Sequence, residues 1–187
     1  MLSIVIRQKK RAELQIPLDA ILLLSVGELS QRKNHSVIVE ALNRIDDKNV
    51  FYVIAGKGKQ KDSLHQIDKT GRVKLIGYRS DIWELFCATD IFVLPSIQEG
   101  LPVALMEAMA HGLVCVASNI RGNNDLIDGV ESGVLFDCKK VDSAIAALQA
   151  VANLNCLELS HSAQESINQF DQANINKKHM EEYKHIS

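Results

Sequence analysis

Ile91-Phe92-Val93-Leu94-Pro95-Ser96-Ile97-Gln98-Glu99-Gly100-Leu101-Pro102-Val103-Ala104-Leu105-Met106-Glu107-Ala108 is the stretch whose reading decides the fold. It opens on an unbroken apolar run, which signals a strand covered on both faces. It closes on an apolar segment with helical character, and Pro102 suits the first helical position, where its missing N–H is no loss. A strand entering a helix through a short turn leaves unpaired amides pointing outward, which makes an anion site suited to phosphate. Glu99 and Glu107 bracket that turn. Glu107 stands among Val103, Ala104, Leu105, Met106, Ala108 and Met109. A charge inside so apolar a helix needs a partner, and a ligand rich in hydroxyls would supply one.

Working outward, the same alternation repeats. Apolar runs occur at Ile21–Val26, Val50–Ala55, Val73–Ile76, Leu113–Ala117 and, shorter, Gly133–Phe136. Helical patterns lie between them. Asn34 is a candidate cap for a helix carrying Val37, Ile38, Ala41, Leu42 and Ile45 inward. Further helices are read at Lys59–Lys69, Ser80–Ala88, Pro102–His111 (stopped by Gly112) and Val141–Leu154. The expected fold is a single Rossmann-like α/β domain, with a mostly parallel sheet of about six strands and helices on both faces. Residues 1–20 read as a leader or linker remnant, 21–157 as the domain, and 158–187 as a tail of two helices broken near Phe170-Asp171.

The chain has 187 residues, 47% hydrophobic and 24% charged, with net charge −2. That balance favours a globular domain and offers no global field for nucleic acid. The basic run Arg7-Gln8-Lys9-Lys10-Arg11 reads as a solvated leader. Cys87, Cys115, Cys138 and Cys156 lack metal or redox spacing, which fits a reducing cytoplasm. No segment reaches the ~18 apolar residues of a membrane helix.

In an open parallel sheet, ligands bind beyond the carboxyl ends of the strands. Those ends carry Gly27-Glu28, Gly56-Lys57-Gly58, Gly77-Tyr78-Arg79, Ser96 to Gly100, and Ser118 to Gly122. No dinucleotide fingerprint, Walker loop or Asp-x-Asp pair is present, so side-chain cations and helix amides must meet any phosphate charge. Lys33, at a helix start just after the first strand, is the best cation; Arg32 is expected to point elsewhere. His35 and His111 read as a surface position and a helix terminus. Trp83 and Phe86 read as helix packing, and Asp90 and Asp125 as a strand start and a helix cap.

As a set these residues resemble the retaining glycosyltransferases of GT-B fold, family 4, and among them the bacterial enzymes of capsule and exopolysaccharide assembly. Glu99-Gly100-Leu101-Pro102 with Glu107 is similar to that family's Glu-x7-Glu motif. Gly27 to Asn34 resembles its donor-phosphate loop, Ile76 to Ile82 its base-binding segment, and Ser118 to Asn123 a segment shared by the exopolysaccharide enzymes. The resemblance implies a nucleoside diphosphate sugar, UDP-linked by preference, as substrate. Lys33, Gly27 and the Gly100 and Leu101 amides ahead of Pro102 would hold the pyrophosphate. Glu107 would hold the ribose, Glu99 the transferred sugar, and the backbone of Gly77, Tyr78 and Arg79 the base. Lys33 and Glu99 would carry catalysis, with no metal and no other cofactor.

Glu28 departs from the family's usual arginine, and should point away from phosphate or pair with Arg32, Arg79 or Arg121. The resemblance also implies an acceptor-binding N-terminal domain, for which about 20 residues are too few. The expectation is therefore a donor half, inactive alone, whose partner would be a glycan or lipid-linked glycan acceptor. Its place would be the cytoplasm, peripheral at the inner membrane face for the intact enzyme. Two alternatives stay open: a non-catalytic nucleotide-sugar-binding subunit of a two-chain transferase, and a nucleotide-sugar epimerase-like domain.

Overall fold

A computed structural model describes residues 2–127 and 133–152. The two tail helices, the boundary at residue 157, Cys156 and the last three histidines lie outside the described residues. Six strands, β1 (Ile21–Val26), β2 (Val50–Ala55), β3 (Val73–Gly77), β4 (Ile91–Leu94), β5 (Val114–Ser118) and β6 (Val134–Phe136), form one sheet in the order β3-β2-β1-β4-β5-β6. Every pairing between these strands is parallel. The connecting helices are α1 (Leu2–Glu13), α2 (Ser36–Arg44), α3 (Lys61–Ile67), α4 (Ile82–Ala88), α5 (Val103–Ala110) and α6 (Val141–Ala152). This is the expected Rossmann-like α/β architecture.

The strand pleat sorts the apolar residues into two cores. Leu23, Tyr52, Ile54, Ile91, Val93, Val114 and Val116 face α2, α3 and α6. Leu22, Leu24, Val53, Ala55, Phe92, Leu94, Cys115 and Ala117 face α4 and α5, together with Leu14 and Ile16 after α1. Both faces of each central strand are covered, which is why the sequence shows continuous apolar runs rather than alternation.

Gly112 ends α5 as expected. It takes φ +72°, its N–H bonds the Met109 carbonyl at 2.8 Å and the Leu113 N–H bonds that of Ala108 at 3.1 Å, which is a Schellman stop. Gly56 has a different reason. A Cβ there would stand 1.7 Å from the Gly27 carbonyl oxygen, so only glycine lets the loop after β2 lie against the loop after β1.

Several local expectations are corrected. The basic run is not a solvated leader: it is part of α1, docked on α4 with Lys10 and Arg11 buried. The Arg11 guanidinium is fully buried and donates to the carbonyls of Ala88, Pro17, Leu18 and Ala20 and to Asp90 Oδ2 at 2.5 Å. Arg7 takes the other Asp90 oxygen, also at 2.5 Å. Lys10 meets Glu13, Asp81 and Glu84 within 2.8 Å. Burial would lower the Lys10 pKa, but these hydrogen bonds outweigh it and raise it. Asp90 is thus an anchor for α1, and it also accepts the Leu22 N–H at 2.7 Å. The run shows five residues with four charges; apart from Glu13, the carboxylates that pair with them (Asp81, Glu84 and Asp90) come from more than 60 residues away.

Asn34 does not cap α2. It ends the short 3-10 turn Gln31–Lys33 in the left-handed region, at φ +51°, and its side chain donates to the Cys138 carbonyl at 3.0 Å. His35, which takes the cap position, is buried. Phe86 packs edge-on against Phe92, but Trp83 is half exposed. No helix among the described residues is long and apolar enough to cross a membrane.

Candidate functional site

Strand order reverses direction between β1 and β4, whose connections leave to opposite faces of the sheet. A crevice must open there beyond the strand ends. The loop after β1 carries Gly27 and Lys33; the loop after β4 carries Ser96, Glu99 and Gly100. The two loops meet across the crevice. Lys33 Nζ donates to Glu99 Oε1 at 2.7 Å, and the Ile97 N–H donates to the Arg32 carbonyl at 2.8 Å. Gly27 lies under the Lys33 stem, where an added Cβ would come within 3.3 Å of Cε.

Glu99 is almost wholly enclosed. Its side chain is 6% exposed and that of Lys33 14%. Oε1 accepts from Lys33 and, at 2.6 Å, from the Ser96 hydroxyl. Among the described residues Oε2 has only Arg32 Nη1 at 3.3 Å, and Arg32 is itself half exposed. Burial works to raise the Glu99 pKa, but the hydrogen bonds from Lys33 and Ser96 outweigh it and hold the carboxyl below its ordinary range. Arg32 therefore does not point elsewhere, as expected from sequence; it also donates to the Gln98 carbonyl at 3.2 Å.

Pro102 is the residue before α5 rather than its first, with φ −82° and ψ +68°. That is an inverse γ-turn, and the Val103 N–H accordingly bonds the Leu101 carbonyl at 3.0 Å. The N–H groups of Gly100, Leu101 and Ala104 find no acceptor among the described residues. Gly100 has open space where a Cβ would be, and Leu101 is 64% exposed. Free amides at a helix start, beside a lysine and an arginine, form an electropositive mouth.

Glu107 corrects the argument made for it. It is exposed on α5, while Leu105, Ala108 and Met109 form the buried side, so it carries no buried charge in search of a partner. Gly77 ends β3 at φ +71° and bridges to Gly56, which packs on Gly27; the ends of β1, β2 and β3 thus form one continuous rim. On that rim Tyr78 is 75% exposed. The Arg79 guanidinium is engaged with Asp81 at 2.5 Å and Glu13 at 2.6 Å. It is therefore not a partner for Glu28, which is exposed.

Behind the mouth, His35 Nδ1 lies 3.0 Å from the Tyr52 hydroxyl and Nε2 3.3 Å from the Glu28 carbonyl. Tyr52 continues to Ser25 at 2.7 Å, and Ser25 donates to the Val93 carbonyl at 2.5 Å. The four links end on carbonyls, so they need four protons; Ser25, Tyr52 and a neutral imidazole bring three. Burial nevertheless keeps the ring neutral, with its pKa lowered to about 4.

Sequence reasoning placed Ser96 and Ser118 at ligand-facing strand ends and Asn123 in a family-like segment, but gave none of the three a role; all are buried, and Ser96 bonds Glu99. A signal existed for the first: Ser96-Ile97-Gln98-Glu99 has the Ser-x-x-Glu spacing at which the two side chains can meet.

A family model described as glycosyl transferases group 1 matches residues 6–170. The Escherichia coli UDP-Gal:alpha-D-GlcNAc-diphosphoundecaprenol alpha-1,3-galactosyltransferase is 38% identical over 143 residues, covering 72% of this chain and 37% of the relative. The lipopolysaccharide core biosynthesis glycosyltransferase LpsE of Rhizobium meliloti is 28% identical, covering 79% of this chain and 44% of the relative. Among solved structures, Anabaena HepE in complex with UDP-glucose superimposes with a TM-score of 0.84 at 24% identity, covering 96% of this chain and 52% of that one. The chain thus spans between about a third and a half of the length of these proteins.

Proposed function

Because this chain belongs to the glycosyl transferases group 1 family, we propose that it binds a nucleoside diphosphate sugar, UDP-linked by preference, as the donor-binding part of a retaining hexosyltransferase of the GT-B family 4 type. The observation that carries this reading is the Lys33–Glu99 pair across the β1/β4 crevice, set beside the free amides of Gly100, Leu101 and Ala104. Lys33 and those amides face the diphosphate. As the sugar leaves, negative charge builds on that diphosphate, and donors already fixed in place lower the barrier. Glu99 accepts from hydroxyls of the transferred sugar and Glu107 from the ribose. The rim at Gly77, Tyr78 and Arg79 receives the base through its backbone, since the Arg79 side chain is engaged elsewhere.

No metal is invoked: lysine, arginine and helix dipole supply the positive charge. The acceptor, a glycan or lipid-linked glycan, would be held by a further domain, and the transfer would take place at the cytoplasmic face of a membrane. This domain alone would bind donor without turning it over. The Escherichia coli relative, named for its action on a diphosphoundecaprenol-linked sugar, supports that acceptor class.

The test is calorimetric titration of the chain with uridine, UDP and UDP-glucose, with Lys33→Ala beside the parent. UDP should bind the parent, and Lys33→Ala should weaken UDP by about tenfold or more while changing uridine little. Equal losses for uridine and UDP would remove the phosphate role of Lys33. Binding of none of the three would remove the donor site altogether.

A further inference from the structure

The Glu99 carboxylate is held from behind by a line of buried polar residues. The Asn123 amide donates to the Ser118 carbonyl at 3.0 Å and to its hydroxyl at 3.2 Å. The Ser118 hydroxyl donates to the Ser96 carbonyl at 2.5 Å. The Ser96 hydroxyl donates to Glu99 Oε1 at 2.6 Å. Ser96, Ser118 and Asn123 are all fully buried. The line therefore starts in the loop after β5, crosses to the end of β4 and finishes on the carboxylate. Gly122, next to Asn123, lets this loop approach closely, since a Cβ there would meet the Gly100 carbonyl at 3.1 Å.

Two features set this line apart from ordinary loop packing. The Asn123 Oδ1 is buried with no hydrogen-bond partner among the described residues, a cost that persists only if something else fixes the side chain. Here its amide hydrogens, both directed at Ser118, do so. Second, Ser96 and Lys33 share one oxygen of Glu99, and among the described residues Oε2 keeps only a long contact to a half-exposed arginine. Oε2 is therefore the oxygen free to accept from a ligand.

We propose that Ser96, with Ser118 and Asn123 behind it, is a positioning residue that holds Glu99 Oε2 toward the transferred sugar and so makes binding sensitive to the sugar as well as to the nucleotide. The inference rests on the donor-site reading above. Its logic is a division of labour. Lys33 and Ser96 both hold Glu99 Oε1 in this structure. A diphosphate draws Lys33 away, because phosphate offers it more charge than one carboxylate does. The Ser96 line, backed only by the long Arg32 contact, then keeps Glu99 in place, so its loss matters once a sugar is present and hardly at all for the bare diphosphate.

The experiment compares UDP and UDP-glucose on the parent chain, Ser96→Ala and Ser96→Thr by calorimetry, and follows the Glu99 side-chain carboxyl by carbon NMR through an acid titration. The parent should bind UDP-glucose more tightly than UDP. Ser96→Ala should leave UDP within about twofold and cut the preference for UDP-glucose by about tenfold. Its Glu99 should also titrate at higher pH than in the parent. Ser96→Thr, which keeps the hydroxyl, should restore both behaviours and guards against a mere packing defect. Equal losses for both ligands in Ser96→Ala, or an unchanged preference, would overturn the positioning role while leaving the donor site standing. An unshifted Glu99 titration would overturn it without reference to any ligand. Failure of the parent to bind either ligand would remove the donor-site reading and this inference with it.

Discussion

Glu107 lies exposed on α5, and exposure sets what its replacement does. Glu107→Ala should change the free energy of unfolding by no more than about 0.5 kcal/mol, because no buried contact is lost. It should weaken UDP binding all the same. A urea titration and a calorimetric titration of one sample separate the two; unchanged UDP affinity would remove its ribose role. His35 is the opposite case. Above pH 6.5 its ring is neutral in the folded and the unfolded chain alike. Between pH 6.5 and about 4 only the unfolded chain takes up the proton, so the stability from the neutral ring is lost as the pH falls. The loss reaches about 3 kcal/mol near the lower limit. Urea midpoints at successive pH values should show that slope, and His35→Gln should flatten it. From sequence His35 looked like a surface residue; only the packing of α2 on β2 brings it to Tyr52. Glu99 was legible as a site residue from its motif, but its enclosure by Lys33 and Arg32 was not, since they come from the loop after β1, more than 60 residues away.

At the scale of elements, the five longer strands were legible to within a residue or two, because burial on both faces writes continuous apolar runs. Helix starts were less so: Pro102 precedes α5 and Asn34 precedes α2 by two residues, as turn geometry at each overrode the capping preference. The loops after β1 and β2 are locked together by Gly56. Gly56→Ala forces a Cβ into the Gly27 carbonyl, and we expect it to cost about 3 kcal/mol and to disturb Lys33 through Gly27. Thermal denaturation with a UDP titration checks both effects. In the docking of α1, one carboxylate holds two of its cations. Asp90→Asn leaves Arg7 and the fully buried Arg11 without a counter-charge. It should destabilise the chain by about 3 kcal/mol, measured as a lowered urea midpoint with unchanged slope.

For the molecule as a whole, α1 is part of the domain rather than a remnant ahead of it. Removing residues 1–13 would strip Asp90 of both its cations and Asp81 of Lys10, and would uncover the side of α4 on which α1 is docked. The shortened chain should lose a cooperative thermal transition by circular dichroism; retention of the parent's midpoint would refute this account of α1. The sequence by itself determined the α/β class, the parallel sheet and the two loops that carry the site. Those follow from hydrophobic period and turn chemistry, which act between neighbours along the chain. Only the tertiary structure decided that α1 is docked, that His35 is buried, and that a line of serines and an asparagine stands behind Glu99. Each of these depends on charges or hydrogen bonds that meet across long separations, and a polar residue carries no local sign of whether its partner is water or a distant segment.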